Sequence, residues 1–168
     1  VARVNQALEN YRYDDAANAI YQFFWGSFCD WYLEIVKLRL DFAMDAGGGL
    51  TATISINALV SVFETALRLL SPFMPFLTEE LWHAVYDGKP PAKSIALTRY
   101  PRARSAAAGE TPIAEMGLLQ NLITEIRGLR KEIGVEEKAM APIEVRTDAA
   151  SRKIAGENRD IIERLARV

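Results

Sequence analysis

Side chains suited to catalysis are few in this sequence. His83 is the single histidine and Cys29 the single cysteine, so a Cys/His zinc site and a disulfide within the chain are excluded. Carboxylates occur as the adjacent pairs Asp14/Asp15, Glu79/Glu80 and Glu136/Glu137. Adjacent residues on a helix point about 100° apart, so such pairs do not converge on one substrate atom. The spacing predicts no catalytic residue and no metal site here.

Phosphate-binding glycine motifs are also missing. The run Gly47-Gly48-Gly49 lacks both the preceding strand and the lysine of a phosphate loop. We therefore interpret this run as a turn between helices, His83 as a helix-surface residue, and Cys29 as an inert thiol of the core.

An aromatic-rich stretch is the most unusual feature of the chain. Six aromatic rings fall within residues 23–32. On a helix Phe24, Phe28, Trp31 and Ile35 would share one line, so we interpret the stretch mainly as the buried side of a long helix. The alternative is an exposed aromatic face that stacks on the bases of single-stranded RNA.

The charge pattern limits the possible partners. The net charge of −2 gives no overall basic field, so a nucleic acid would have to be held by a local patch. Arg127, Arg130 and Lys131 lie together on one predicted helix, but acidic residues are interleaved around them. A solvated helix face is the favoured interpretation for these three residues, and a phosphate-binding track is the alternative.

Helical periodicity dominates the first half of the chain. The end of one helix precedes a break at Tyr11-Arg12-Tyr13-Asp14. Apolar residues then recur at spacings of three and four from Ala16 to Leu38, and again from Ile56 to Leu70. Pro72 and Pro75 interrupt the pattern before a fourth helix, which runs from about Phe76 to Val85. Four amphipathic helices with short links predict a mainly α fold, an antiparallel helical bundle over residues 1–88.

The composition changes after Asp87-Gly88-Lys89-Pro90-Pro91. Residues 94–100 and 141–146 alternate like two short strands, and residues 111–133 and 150–168 read as helices. This order predicts a small α/β extension over residues 89–168. Because a two-stranded sheet is marginal by itself, we expect a further strand beyond Val168 and a truncated C-terminus. No apolar run reaches the roughly 20 residues of a membrane helix, and the lone cysteine fits a cytoplasmic setting.

Several blocks resemble a known family. Residues 11–14 (YRYD), with Phe28–Glu34 (FCDWYLE), look like the first helices of the anticodon-binding domain of bacterial valyl-tRNA synthetases. Residues 67–82 (LRLLSPFMPFLTEELW) resemble a helix, proline break and helix shared by the valyl, isoleucyl and leucyl enzymes. Arg127, Arg130 and Glu132, followed by Pro142, are also similar to the valyl enzymes.

The resemblance implies a bundle that docks on the anticodon stem-loop of tRNA(Val). It further implies a valine–tRNA ligase whose catalytic domain, outside this chain, uses ATP with Mg²⁺, and whose remaining domains act in cis. Neither a His-Ile-Gly-His nor a Lys-Met-Ser-Lys-Ser type motif occurs here. We therefore expect a non-catalytic piece without a cofactor, from a monomeric cytoplasmic enzyme with no membrane partner.

The resemblance also suggests tRNA-binding positions. They lie on the early helices, and the candidates are Arg3, Asn5, Glu9 and Arg12, with Lys37 and Arg39 as secondary candidates. Arginine and asparagine can pair with base edges or phosphates of unstacked loop nucleotides, and Tyr11 or Tyr13 could stack on a base. The alternative for each candidate is an ordinary solvent-facing residue.

Two other interpretations remain open. One is the equivalent domain of an isoleucyl- or leucyl-tRNA synthetase, and the other is a helical protein-interaction module without an RNA role. The near-neutral charge favours the module, whereas the combined sequence blocks favour the valyl family.

Overall fold

The computed structural model describes residues 1–45, 49–103, 110–136 and 138–168. The chain divides into two compact units, Val1–Ser105 and Ala106–Val168. The sequence predicts a domain boundary after Gly88, whereas residues 89–103 lie in the first unit. Helices are the only regular secondary structure of the described residues, so the mainly α fold is confirmed.

The described residues of the first unit form five α-helices, a π-helix and a short 3₁₀ turn. The α-helices and the π-helix are α1 (Ala2–Glu9), α2 (Tyr13–Gln22), the π-helix (Phe23–Leu33), α3 (Glu34–Asp45), α4 (Gly49–Leu70) and α5 (Pro75–Val85). Tyr11, with φ of 56°, makes the break between α1 and α2. One buried cluster lies under these two helices and comprises Val4, Ala7, Ala16, Ile20 and Leu69.

The predicted long helix is continuous, but its aromatic middle is a π-helix. π-helices are rare and commonly occur near functional sites. Phe28 is 4% exposed, and its ring stacks on Phe24 and on Phe63 of α4, with centroids 5.6 and 5.8 Å apart. Trp25, by contrast, is 53% exposed. The core interpretation is therefore confirmed for Phe28 and Ile35, both 4% exposed, whereas Phe24 and Trp31 are only partly buried. Trp25 lies beside the predicted line, and its exposure agrees with that position.

The proline-containing break between α4 and α5 is confirmed. Pro75 opens α5 at a position where its missing N–H is not needed. Thr78 is fully buried, and its hydroxyl donates to the carbonyl oxygen of Met74 at 2.9 Å. A second buried cluster forms beside this break from Leu67, Trp82 and Ile95.

Helix α4 has contrasting halves. Its stretch Ala52–Leu70 is long and apolar enough to cross a membrane, a property that core helices of soluble proteins share. The expectation that no apolar run approaches the length of a membrane helix is therefore wrong for this stretch. Ala66, Leu67 and Leu69 are buried within the first unit, but only 22% of the stretch is buried. Leu50 and Ile54, near its start, are exposed.

The two predicted strands are not found in the part of the chain that the structure describes. Residues Ile95–Leu97 form a single 3₁₀ turn instead. The backbone N–H of Ile95 donates to the Glu79 carboxylate at 3.0 Å, and that of Ala96 donates to the Ser94 hydroxyl. These side chains satisfy the amide groups that a strand would have paired with a neighbouring strand.

Residues 141–146 likewise form no regular element. Ile143 and Val145 are both exposed, so their alternation does not reflect one buried face. The α/β character of the extension is therefore not confirmed. In the second unit the described residues form α6 (Glu110–Glu132), α7 (Ala149–Glu157) and α8 (Arg159–Ala166), and α6 packs on both α7 and α8.

Candidate nucleic-acid interface

Four of the six predicted tRNA-binding positions lie on or next to helix α1. Arg3, Asn5 and Glu9 are on the helix, and Arg12 follows the turn after it. Arg3, Glu9 and Arg12 are exposed, whereas Asn5 is buried. Arg3 borders an apolar groove of about 470 Å³ whose walls include Phe23. The structure therefore leaves three of these four side chains accessible to a ligand.

Asn5 is engaged within the protein. Its side-chain N–H donates to the carbonyl oxygen of Pro101 at 3.0 Å, and its side-chain oxygen accepts from the backbone N–H of Ala103 at 3.0 Å. Both bonds hold residues 101–103 against α1. This geometry favours a positioning role for Asn5 over a direct contact with a base.

The segment beside Asn5 brings a cation that sequence reasoning missed. Arg102 forms an ion pair with Glu9 at 3.1 Å, and both side chains are exposed. The two residues are 93 positions apart in the sequence, so no local pattern indicates this pairing. A possible signal was the Arg99-Tyr100-Pro101-Arg102 sequence, in which two arginines flank a rigid proline.

Arg12 is paired with its own helix. Its guanidinium lies 3.2 Å from Asp14 and 3.0 Å from Asp15. The hydrogen bond from Arg12 lowers the pKa of the Asp14 carboxyl and raises that of the guanidinium. An RNA phosphate would have to compete with two carboxylates for this arginine.

Lys37 and Arg39 lie on α3. Lys37 pairs with Glu34 at 2.6 Å, and Arg39 is exposed. Helix α3 packs on α4 and the π-helix. Among the described residues, no hydrogen bond or ion pair links these two cations to the candidates on α1.

Helices α1 and α4 and residues 99–103 border an open groove of about 950 Å³. Three arginines contribute to its walls, namely Arg68 from α4 and Arg99 and Arg102 from the segment. Glu64 is the carboxylate of this lining, and it lies almost fully buried.

Glu64 is held by three donors. One carboxylate oxygen accepts from the Trp82 indole N–H at 3.4 Å and from the Tyr86 hydroxyl at 3.2 Å, and the other accepts from Arg68. Burial, together with the nearby Glu64 charge, raises the pKa of Tyr86. The network ties α4 to α5 and fixes Arg68 at the base of the groove.

The arginines of α6 have a different role from the one predicted. Arg130 is 8% exposed, and its guanidinium donates to the carbonyl oxygens of Arg167 at 2.8 Å and Ala139 at 2.6 Å. Arg127 donates to the carbonyl oxygen of Leu165 at 2.9 Å. The solvated-face interpretation is wrong for Arg130, because the carbonyl groups at the end of α8 need donors.

His83 and Cys29 are both half-buried, so Cys29 is not a fully buried core thiol. The His83 imidazole lies 3.1 Å from the Glu79 carboxylate. Its neighbour in the sequence, Trp82, is buried. Burial raises the pKa of the Cys29 thiol, which disfavours the reactive thiolate. The described residues contain no group of three metal-ligating side chains.

Comparisons with known proteins identify relatives of this chain. Residues 1–145 match the family model described as the anticodon-binding domain of tRNA ligase. The chain is 42% identical to a valine–tRNA ligase of Neisseria meningitidis serogroup A, over 85% of the chain and 15% of that relative. It is 40% identical to that of Solibacter usitatus, over 97% and 18%, and 34% identical to that of Aquifex aeolicus, over 98% and 15%. The chain thus spans less than a fifth of the length of these relatives.

Proposed function

The chain belongs to the anticodon-binding domain family of tRNA ligases, and from this premise we propose that it binds the anticodon stem-loop of tRNA(Val). The family match over residues 1–145 carries the proposal. The valine–tRNA ligases among the relatives favour tRNA(Val) over the tRNAs of isoleucine or leucine.

The α1 surface is the proposed contact. Arg3 and Arg12 are exposed there, and Arg102 lies close enough to Glu9 to form an ion pair. Exposed Tyr11 supplies a ring on which a splayed base could stack. Asn5 acts indirectly by holding residues 101–103 in place. Lys37 and Arg39 are secondary contacts in this proposal.

The wider activity is proposed from the relatives. In a longer valine–tRNA ligase, this chain would hold the tRNA while a separate catalytic domain, acting in cis, attaches valine with ATP and Mg²⁺. We propose a monomeric enzyme of the cytoplasm. The described residues of this chain contribute binding surface to that reaction.

A titration tests the proposal. The chain is titrated with a tRNA(Val) transcript and with the same transcript carrying a changed anticodon, at low and moderate salt. We expect tighter binding of the native anticodon and a loss of affinity as salt rises, because phosphate contacts release counterions. Equal binding of both transcripts would contradict the proposal that the chain recognises the anticodon. Absence of binding to either RNA would favour a protein-interaction module.

A further inference from the structure

We propose that the groove between α1, α4 and residues 99–103 binds a backbone phosphate of the RNA strand, held by Arg68, Arg99 and Arg102. This inference rests on the proposed function, because the anion is part of an RNA. It adds a phosphate site formed largely by residues outside the predicted set.

The groove has a fixed wall. Asn5 binds the backbone on both sides of Arg102, through Pro101 and Ala103. The Tyr100 hydroxyl donates to the carbonyl oxygen of Leu69 at 3.1 Å, and burial raises the pKa of that hydroxyl. The backbone carrying the two arginines is therefore held before a ligand arrives, which reduces the ordering that binding requires.

The charge in the groove favours an anion. The carboxylate of Glu64 already accepts hydrogen bonds from Trp82, Tyr86 and Arg68. Arg99 and Arg102 are exposed at the rim. Guanidinium groups present several donors in a fixed fork that matches phosphate oxygens.

Arg68 has unused donor capacity. Its Nη1 reaches the Arg99 carbonyl oxygen at only 3.4 Å, so a phosphate oxygen could compete for that donor. Its Nε is buried without a hydrogen-bond partner among the described residues. A buried donor in this condition is uncommon in native proteins and calls for an explanation. A small shift of the guanidinium toward a bound anion would give the Nε–H of Arg68 a hydrogen-bond acceptor.

The ion pair between Arg102 and Glu9 at the rim of the groove is weak enough for a phosphate to replace Glu9. Arg102 and Glu9 are 70% and 67% exposed in their side chains, so water screens their attraction. A phosphate entering the groove can replace Glu9 as the partner of Arg102. With an open volume of about 950 Å³, the groove has room for a nucleotide backbone as well as a single phosphate.

The test compares two double variants of the chain. Arg99→Ala with Arg102→Ala removes the rim cations, and Lys89→Ala with Lys93→Ala removes two exposed cations from the preceding segment that do not line the groove. Both variants change the net charge equally. Thermal unfolding followed by circular dichroism verifies that each one folds.

The readout is the salt dependence of tRNA(Val) binding. Each lost phosphate contact reduces the slope of log K against log salt by about 0.7 to 0.9. We expect the arginine variant to lose about one unit or more of slope, and the lysine variant to keep the slope of the parent chain. Equal slopes in all three proteins, or an equal reduction in both variants, would overturn the phosphate site.

The source of the anion is tested by NMR of the arginine Nε–H groups. Inorganic phosphate and the tRNA(Val) transcript are added separately. We expect the transcript to shift the Arg68 signal; a shift with inorganic phosphate alone would assign the groove to a small anion and overturn the RNA contact.

Loss of anticodon discrimination with a retained slope difference would refute the proposed function and leave the groove as a general RNA contact. No binding of either RNA would overturn both.

Discussion

The side-chain oxygen of Asn5 accepts a hydrogen bond from the backbone N–H of Ala103, at 3.0 Å and 98 residues further along the chain. Together with the bond to Pro101, it attaches the groove segment to α1. We expect Asn5→Ala to lower the free energy of unfolding by about 1 to 3 kcal/mol, because it removes two partly buried hydrogen bonds, each worth about 0.5 to 1.5 kcal/mol. Urea unfolding measures the change. Exposed Gln6→Ala on the same helix is the control, and an equal effect of both variants would contradict the positioning role.

The helices were predictable because their apolar spacing is a local property. The proline break before Pro75 and the turn near Tyr11 also follow from neighbouring residues. The groove is different: Asn5, Glu9 and Arg102 meet across more than 90 residues, and no local pattern encodes that pairing. The strand prediction for residues 94–100 failed for a similar reason, because the distant Glu79 carboxylate binds the backbone of Ile95.

The aromatic stretch contains both a buried and an exposed ring. Its predicted line places Phe28 in the core correctly, and Trp25, which lies beside that line, is more than half exposed. We expect Phe28→Ala to destabilise the protein by about 3 to 5 kcal/mol, since it opens a cavity against Phe24 and Phe63. Trp25→Ala should cost much less. Urea unfolding of both variants compares them, and a larger loss for Trp25→Ala would show that its exposed ring packs against something essential.

Glu64 provides a second stability test. Glu64→Ala would leave Arg68, the Trp82 indole and the Tyr86 hydroxyl without their shared acceptor, and we expect a loss of about 3 kcal/mol. Glu64→Gln keeps an acceptor oxygen and should lose less. Exposed Glu80→Ala on α5 is the control. Equal stability of the parent chain and Glu64→Ala in urea unfolding would show that the network contributes little.

The lowered pKa of Asp148 should make the stability of the second unit depend on pH. Its carboxylate accepts from the Ser151 hydroxyl at 2.7 Å and from the N–H groups of Ser151 and Ala150, which lower its pKa from 3.8 to about 2. The pKa is depressed by folding, so this stabilisation is complete above pH 3.8 and disappears as the pH falls toward 2. Carbon-13 NMR of the carboxyl group measures the pKa. Ser151→Ala should raise it, while Thr147→Val, which removes only a 3.4 Å contact, should leave it nearly unchanged; the reverse order would contradict this capping arrangement.

Arg3 and Arg12 should differ in their contribution to tRNA binding. Arg12 already pairs with Asp14 and Asp15, so a phosphate gains from it only by displacing carboxylates. Arg3 is exposed and forms no ion pair with a described residue. We expect Arg3→Ala to weaken tRNA(Val) binding about tenfold, roughly 1.4 kcal/mol, and Arg12→Ala to weaken it less.

Fluorescence anisotropy with labelled tRNA(Val) at fixed salt measures both losses, with Lys89→Ala as the control for lost charge. The electrostatic argument also predicts that Asp14→Asn combined with Asp15→Asn tightens binding, because it releases Arg12 and removes two repelling carboxylates. In that background Arg12→Ala should become more damaging than in the parent chain. An unchanged affinity for Arg12→Ala in both backgrounds would remove Arg12 from the interface, and the same result for Arg3→Ala would move the contact away from α1 toward the arginines of residues 99–102.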